Sequence, residues 1–175
     1  MPASEPPRLA GSRVPARGPR PPFVDWPRQF ELRGVALAWV CLRPKAIVTQ
    51  TFVELAEAQG VNRIQDWLDD LADTRFVAEG ARPVILHDFR SVRRAAAGVR
   101  ETWLERSRRQ GNPFQGTTGY CALTLGAVGR MMANTVALAL QLSTHSNITI
   151  IQDPASVLLK YRIPRPPADA CRQLG

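Results

Sequence analysis

RPVILHDF, residues 82–89, is the segment from which the fold of this chain can be read. It runs apolar through Leu86, is β-branched at Val84 and Ile85, and closes on the polar pair His87 and Asp88. An unbroken apolar run of this length predicts a strand buried on both faces, the kind found at the centre of a parallel sheet. Open sheets of that class place function at the carboxyl ends of their strands, which here means Asp88 and the residues after it.

Downstream of this strand, Ser91 is placed to cap a helix whose apolar face carries Ala95, Val99 and Trp103, with Leu104 beside them, while Arg93, Arg94, Arg100, Glu101, Glu105, Arg108 and Arg109 lie elsewhere on it. Gly111 and Pro113 end that helix. Residues 120–125 (YCALTL) read as a third buried strand, residues 126–142 as a mostly apolar helix, and residues 147–152 (NITIIQ) as the last strand. Asp153, beside Pro154, caps a final short helix reaching about Tyr161.

Upstream, residues 29–33 and 35–42 are rich in β-formers around Gly34 and predict a strand, a turn and a second strand, with Pro44 stopping the pairing. Thr49 or Thr51 then caps a helix through Phe52, Leu55 and Ala56 that Gly60 interrupts. Asn62 starts the next, in which Ile64, Trp67, Leu68, Leu71 and Phe76 form a stripe, Asp66, Asp69, Asp70 and Asp73 face water, and Gly80 is the C-cap. The expected fold class is α/β: a mixed sheet of four to five strands, mostly parallel after an N-terminal hairpin. Residues 29–161 form the domain. Residues 1–28, rich in proline and arginine, and residues 162–175 bury too little apolar surface to offset the entropy of ordering and are expected to be disordered.

A chain of 175 residues fits one domain. The longest apolar stretch, residues 133–142, falls short of the roughly 20 residues a bilayer span requires, and the first residues lack the apolar segment of a secretory signal. Three cysteines, Cys41, Cys121 and Cys171, with only His87 and His145, suit neither a disulfide framework nor a zinc site. Cys41 and Cys121 are expected to be small buried hydrophobes, which fits a reducing, cytoplasmic setting.

The net charge of +8 is concentrated at the ends. Residues 1–33 carry six Arg against three acids, residues 160–175 four basic residues against one, and residues 34–159 hold 13 basic against 11 acidic residues. Within the domain, residues 50–80 hold seven acids and two Arg, and residues 82–109 eight Arg and three acids, a pattern that suggests opposed faces. Trp103 belongs to the apolar side, leaving the arginines without an aromatic stacking group, which argues against nucleic acid.

Catalytic candidates are poor. His87 and Asp88 are strand neighbours pointing to opposite faces, so they cannot act as base and orienter, and Asp88 is better suited to bracing a loop. His145 sits in a polar turn and is expected to be solvated. A second reading rests on Gly126, Gly129, Arg130 and Asp153: a glycine turn between strand and helix could admit a phosphate, Arg130 pair with it and Asp153 accept from a ribose hydroxyl. Only GxxG is present, without the preceding glycine, and small residues there also serve close packing.

The order of elements, with PVILHDFRSVRRAAAG (residues 83–98) and GAVGRMMANTVALALQL followed by ITIIQD, resembles the STAS domain of anti-sigma-factor antagonists, particularly the SpoIIAA-like branch, over residues 29–161. In that family an apolar strand ends in Asp and a phosphorylatable Ser follows at the next helix start. Asp88 matches the Asp, but the acceptor position holds Ala95, Ala96 and Ala97, which have no hydroxyl. The resemblance implies a non-enzymatic module, and the residues themselves lead to no expected cofactor or metal. It would bind a signalling protein through Asp88, Arg90, Ser91, Arg93 and Arg94, without the usual phospho-switch; a homodimer is left open.

Overall fold

A computed structural model describes residues 28–72, 82–107, 114, 116–124, 126, 131, 133, 135, 137, 147–165 and 171–174. Nine strands lie among them: β1 (Arg28–Leu32), β2 (Ala36–Leu42), β3 (Lys45–Thr51), β4 (Leu55–Ala56), β5 (Val84–Asp88), β6 (Arg94–Ala95), β7 (Thr118–Ala122), β8 (Asn147–Ile151) and β9 (Cys171–Leu174). The helices are α1 (Ala58–Ala72), α2 (Val99–Ser107) and α3 (Pro154–Lys160). Residues 131, 133, 135 and 137 are also helical, within the expected fourth helix.

The chain is α/β with a mixed sheet, of order β8-β7-β5-β3-β2-β1-β9. β1, β2 and β3 form an antiparallel meander, whereas β3, β5, β7 and β8 follow one another in parallel. The first turn is as expected: Val35 N–H donates to Leu32 O at 2.9 Å, with Arg33 and Gly34 both at positive φ (40° and 72°). That geometry matches the right-handed twist of the two strands it joins.

Three expectations are corrected here. Pro44 does not end the pairing; it sits in the turn between β2 and β3, where the ladder requires no donor, behind a cis Arg43–Pro44 bond. Thr49 and Thr51 cap no helix but lie in β3, whose β-branched residues suit a strand paired on both sides. Gly60 and Asn62 are inside α1, which begins at Ala58. The sheet is therefore wider than four or five strands, and residues 171–174, expected in a disordered tail, add a parallel edge strand on β1. The 1–28 arm lies outside the described residues except for Arg28, as do Asp73, Phe76, Gly80, Arg108, Arg109, Gly111, Pro113 and His145.

Strand alternation sorts the core into two layers. Ala36, Ala38 and Val40 of β2, Ile47 of β3 and Ile85 of β5 pack with Ile64, Trp67, Leu68 and Leu71 of α1 and with Val99 and Trp103 of α2. Trp39, Cys41, Ala46, Val48, Leu86 and Tyr120 face the other way, under Val157 of α3 and Ile163. Cys41 and Cys121 are free and buried, as expected, and desolvation pushes their thiols up to about 11 and about 12. The acidic and basic segments do not occupy opposed faces throughout: Arg106 of α2 donates to both Asp66 and Asp69 of α1, joining the two helices.

Candidate functional site

The carboxyl ends of β3, β5 and β7 converge on the loop that follows β5. Asp88, 6% exposed, accepts at Oδ1 from the Arg90 main-chain N–H (3.2 Å) and Nε (2.9 Å), and at Oδ2 from Nη2 (3.0 Å). Its carbonyl accepts from the Thr51 hydroxyl at 2.7 Å, and the Arg90 carbonyl accepts from the Thr124 hydroxyl at 2.8 Å. Asp88 thus braces its loop. The hydrogen bonds that Arg90 donates to Asp88 act most strongly and, together with the charges of Asp88 and Asp153, outweigh the opposing effect of partial burial and hold the Arg90 guanidinium above its ordinary range.

Beyond Val92 the main chain is fixed from the other side. Arg93 and Arg94 N–H both donate to Glu54 O (2.8 and 3.0 Å), Ala96 N–H donates to Ala56 O (2.9 Å), and β6 pairs in parallel with β4. The side chains of Arg90, Arg93, Arg94 and Arg100 are exposed. Among the described residues, Arg93 and Arg94 have no carboxylate partner.

Two details of the expected helix start change. Ser91 lies in a turn and caps nothing, and Ala95 is in β6 rather than on a helix face. Helix α2 begins only after Gly98, whose φ of +84° turns the chain, and whose carbonyl accepts from the Thr102 amide and hydroxyl. Ala96, Ala97 and Gly98 therefore form a short link between a miniature two-stranded ribbon and α2. Two-residue strands leave no periodicity in a sequence, so the ribbon had no signal there beyond the small residues themselves.

His87 and Asp88 do face opposite layers. His87 stacks on Phe89 (centroids 5.6 Å apart, 18° between planes) and meets Trp103 edge-on (6.0 Å, 85°). Burial lowers its pKa to about 4, so the ring is neutral near pH 7. This is a packed core histidine, and among the described residues no carboxylate orients it.

The glycine-turn residues are only partly in view, since Gly129 and Arg130 lie outside the described residues. Gly126 N–H is already bonded to Thr124 O at 2.8 Å, and Asp153 accepts from Ala155 N–H at 2.9 Å as the N-cap of α3. Both groups that would have met a nucleotide thus have internal partners. Among the described residues no group of three or more His, Cys, Asp or Glu could hold a metal ion, and no helix is long and apolar enough to cross a membrane.

What the sequence did not reveal is a cavity of about 430 Å³ behind the 95–98 link. It lies between the β4–β6 ribbon, α1, α2 and the helical residues at 131 and 135. No family model, curated protein or solved structure matches the chain.

Proposed function

We propose that this chain is a STAS-like docking module, non-enzymatic, that binds an acidic surface of a protein signalling partner through Arg90, Arg93 and Arg94. The observation that carries the reading is the separation of roles in residues 93–94: their amides are tied to Glu54 O, while their side chains stand exposed without a counter-charge among the described residues. A rigid backbone presenting unpaired cations loses little conformational entropy on meeting an acidic patch, and the field of such a patch steers the encounter. Ser91, half-buried beside them, belongs to the same surface, and Asp88 serves it indirectly by holding Arg90.

The segment 95–97 supports the further point that docking here runs without a phosphoryl switch. Ala95 at the end of β6 and Ala96 and Ala97 after it stand where the family resemblance would put an acceptor hydroxyl, and none has a side-chain oxygen to phosphorylate. The test is affinity capture from the native cell extract, read by mass spectrometry, with the wild-type chain and with Arg93→Glu/Arg94→Glu. Partners held by the wild type and absent from the double variant, at unchanged thermal stability and with binding weakened by salt, are the expected result. Identical capture by the two proteins would remove the reading.

A further inference from the structure

The chain holds two tyrosines and two lysines, and the fold brings three of these four side chains together. Tyr120 of β7 and Tyr161, the C-cap of α3, are 41 positions apart in sequence, yet their hydroxyl oxygens lie 2.9 Å apart. The rings tilt at 59° with centroids separated by 5.9 Å. Lys160 Nζ reaches the Tyr120 hydroxyl at 3.3 Å and stands 5.8 and 5.1 Å from the centres of the Tyr120 and Tyr161 rings.

Two phenylalanines would fill the same space; what the hydroxyls add is a proton path between the rings, with a cation beside it. Accepting from Tyr161 and from Lys160, against the opposing effect of burial, holds the Tyr120 phenol below its ordinary range. Tyr161, through its own bond to Tyr120 and partial burial, is held above that range. An electron leaves a phenol most easily when its proton can leave as well. A separation of 2.9 Å is within the reach over which a positioned group takes a proton.

We propose that Tyr120 and Tyr161 are an oxidative cross-linking site, acted on by a peroxide-fed one-electron oxidant of the haem-peroxidase class. One electron and one proton leave each phenol, and the two phenoxyl radicals couple through a carbon ortho to each oxygen, two bonds from the hydrogen-bonded contact. The new bond is carbon to carbon, and the hydrogens on the two coupled carbons pass to the oxygens as the rings regain aromaticity. The two electrons and two protons removed reduce one hydrogen peroxide to two waters. Tyr161, half-buried, is the ring an external oxidant meets first, and Tyr120, 8% exposed, is reached through it. Lys160 favours loss of the Tyr120 proton. Coupling draws the ring centres closer than 5.9 Å, a movement that rotation of the Tyr161 side chain at the end of α3 supplies. The product ties α3 to β7. It makes no use of Arg90, Arg93 or Arg94, so it stands or falls separately from the docking reading.

The test is oxidation of the full-length chain with a haem peroxidase and hydrogen peroxide, followed by separation on a denaturing gel. Because the chain has no other tyrosine, dityrosine fluorescence in the monomer band reports this pair alone. The folded wild type is expected to show that fluorescence, an intact mass lower by two hydrogens, and a joined peptide containing residues 120 and 161. Unfolding the chain in urea beforehand, with peroxidase turnover checked on free tyrosine, should remove most of the monomer-band signal. Tyr161→Phe and Tyr120→Phe should each abolish it. Lys160→Gln keeps both phenols and should shift the pH at which the yield rises upward. A folded wild type with no dityrosine in its monomer band, including one that forms it only between chains, overturns the proposal. A yield undiminished in urea overturns it equally, and an unmoved pH profile in Lys160→Gln removes the part given to the lysine. If Tyr120→Phe does not fold, Tyr161→Phe and the urea comparison decide.

Discussion

The His87 ring nitrogen Nδ1 lies 2.6 Å from the Thr49 hydroxyl, across the β3–β5 pair where the two residues occupy matched register positions. Thr49 is fully buried and His87 nearly so. With the ring neutral, one partner donates and the other accepts, and the bond links the antiparallel and parallel halves of the sheet at their seam.

That neutral ring makes stability depend on pH in a defined window. The folded-state pKa is depressed by burial to about 4 from 6.5, so on acidification the unfolded chain takes up the proton first. The contribution is complete above pH 6.5 and is lost as pH falls from there to about 4. Its slope approaches about 1.4 kcal/mol per pH unit within the window. Urea denaturation at pH 7, 6 and 5 should show this decline, and His87→Gln, which does not titrate there, should flatten the portion between pH 6.5 and 5.

Thr49→Val keeps the side-chain shape and deletes the partner of His87. The orphaned ring nitrogen should lower stability by about 1–3 kcal/mol. A loss below about 0.5 kcal/mol in equilibrium denaturation would mean that the bond contributes little.

Asp88 is predicted to act as a brace rather than as a reactive group. Arg90 is 42% exposed, so solvent screens the ion pair and most of the effect should come from the main-chain bond and the buried carboxylate. Asp88→Ala should cost about 1 kcal/mol globally but loosen the loop more than that figure suggests. Limited trypsin digestion should then cut faster after Arg90, Arg93 and Arg94, and unchanged cleavage kinetics would argue against bracing.

Gly98 offers a test of backbone conformation alone. A methyl group there would meet nothing within 4 Å, yet φ is +84°. Gly98→Ala should therefore destabilise by about 1–2 kcal/mol through the left-handed conformation, with no steric contribution. Calorimetric melting of the variant measures this directly.

How much of this was legible before the structure depended on whether the signal was local. The strand at Val84–Asp88 declared itself through an unbroken apolar run, and the α1 stripe through Ile64, Trp67, Leu68 and Leu71 at helical spacing. Thr49 and Thr51 were ambiguous because a threonine serves both as an N-cap and as a strand residue; what decides is pairing with β2 on one side and β5 on the other, which no short window contains. The Asp153 cap was readable from Asp-Pro at a helix start. The cap expected at Ser91 was misplaced because α2 begins after Gly98, once the β4–β6 ribbon has intervened. Arg93 and Arg94 were recognisable as a basic pair, but their fixation by Glu54 was not, and the cavity exists only where surfaces from separate elements meet.

The order in which the main sheet is laid down has a consequence for how the protein is made. From β2 to β8, each strand of that sheet lies beside the one synthesised just before it. A nascent chain leaving the ribosome can thus extend its sheet outward from the meander without waiting for distant sequence, with its growing rim and the outer rim of β1 both open at each stage. Only the β1–β9 contact, about 140 residues apart in sequence, must wait for the C-terminal residues to emerge.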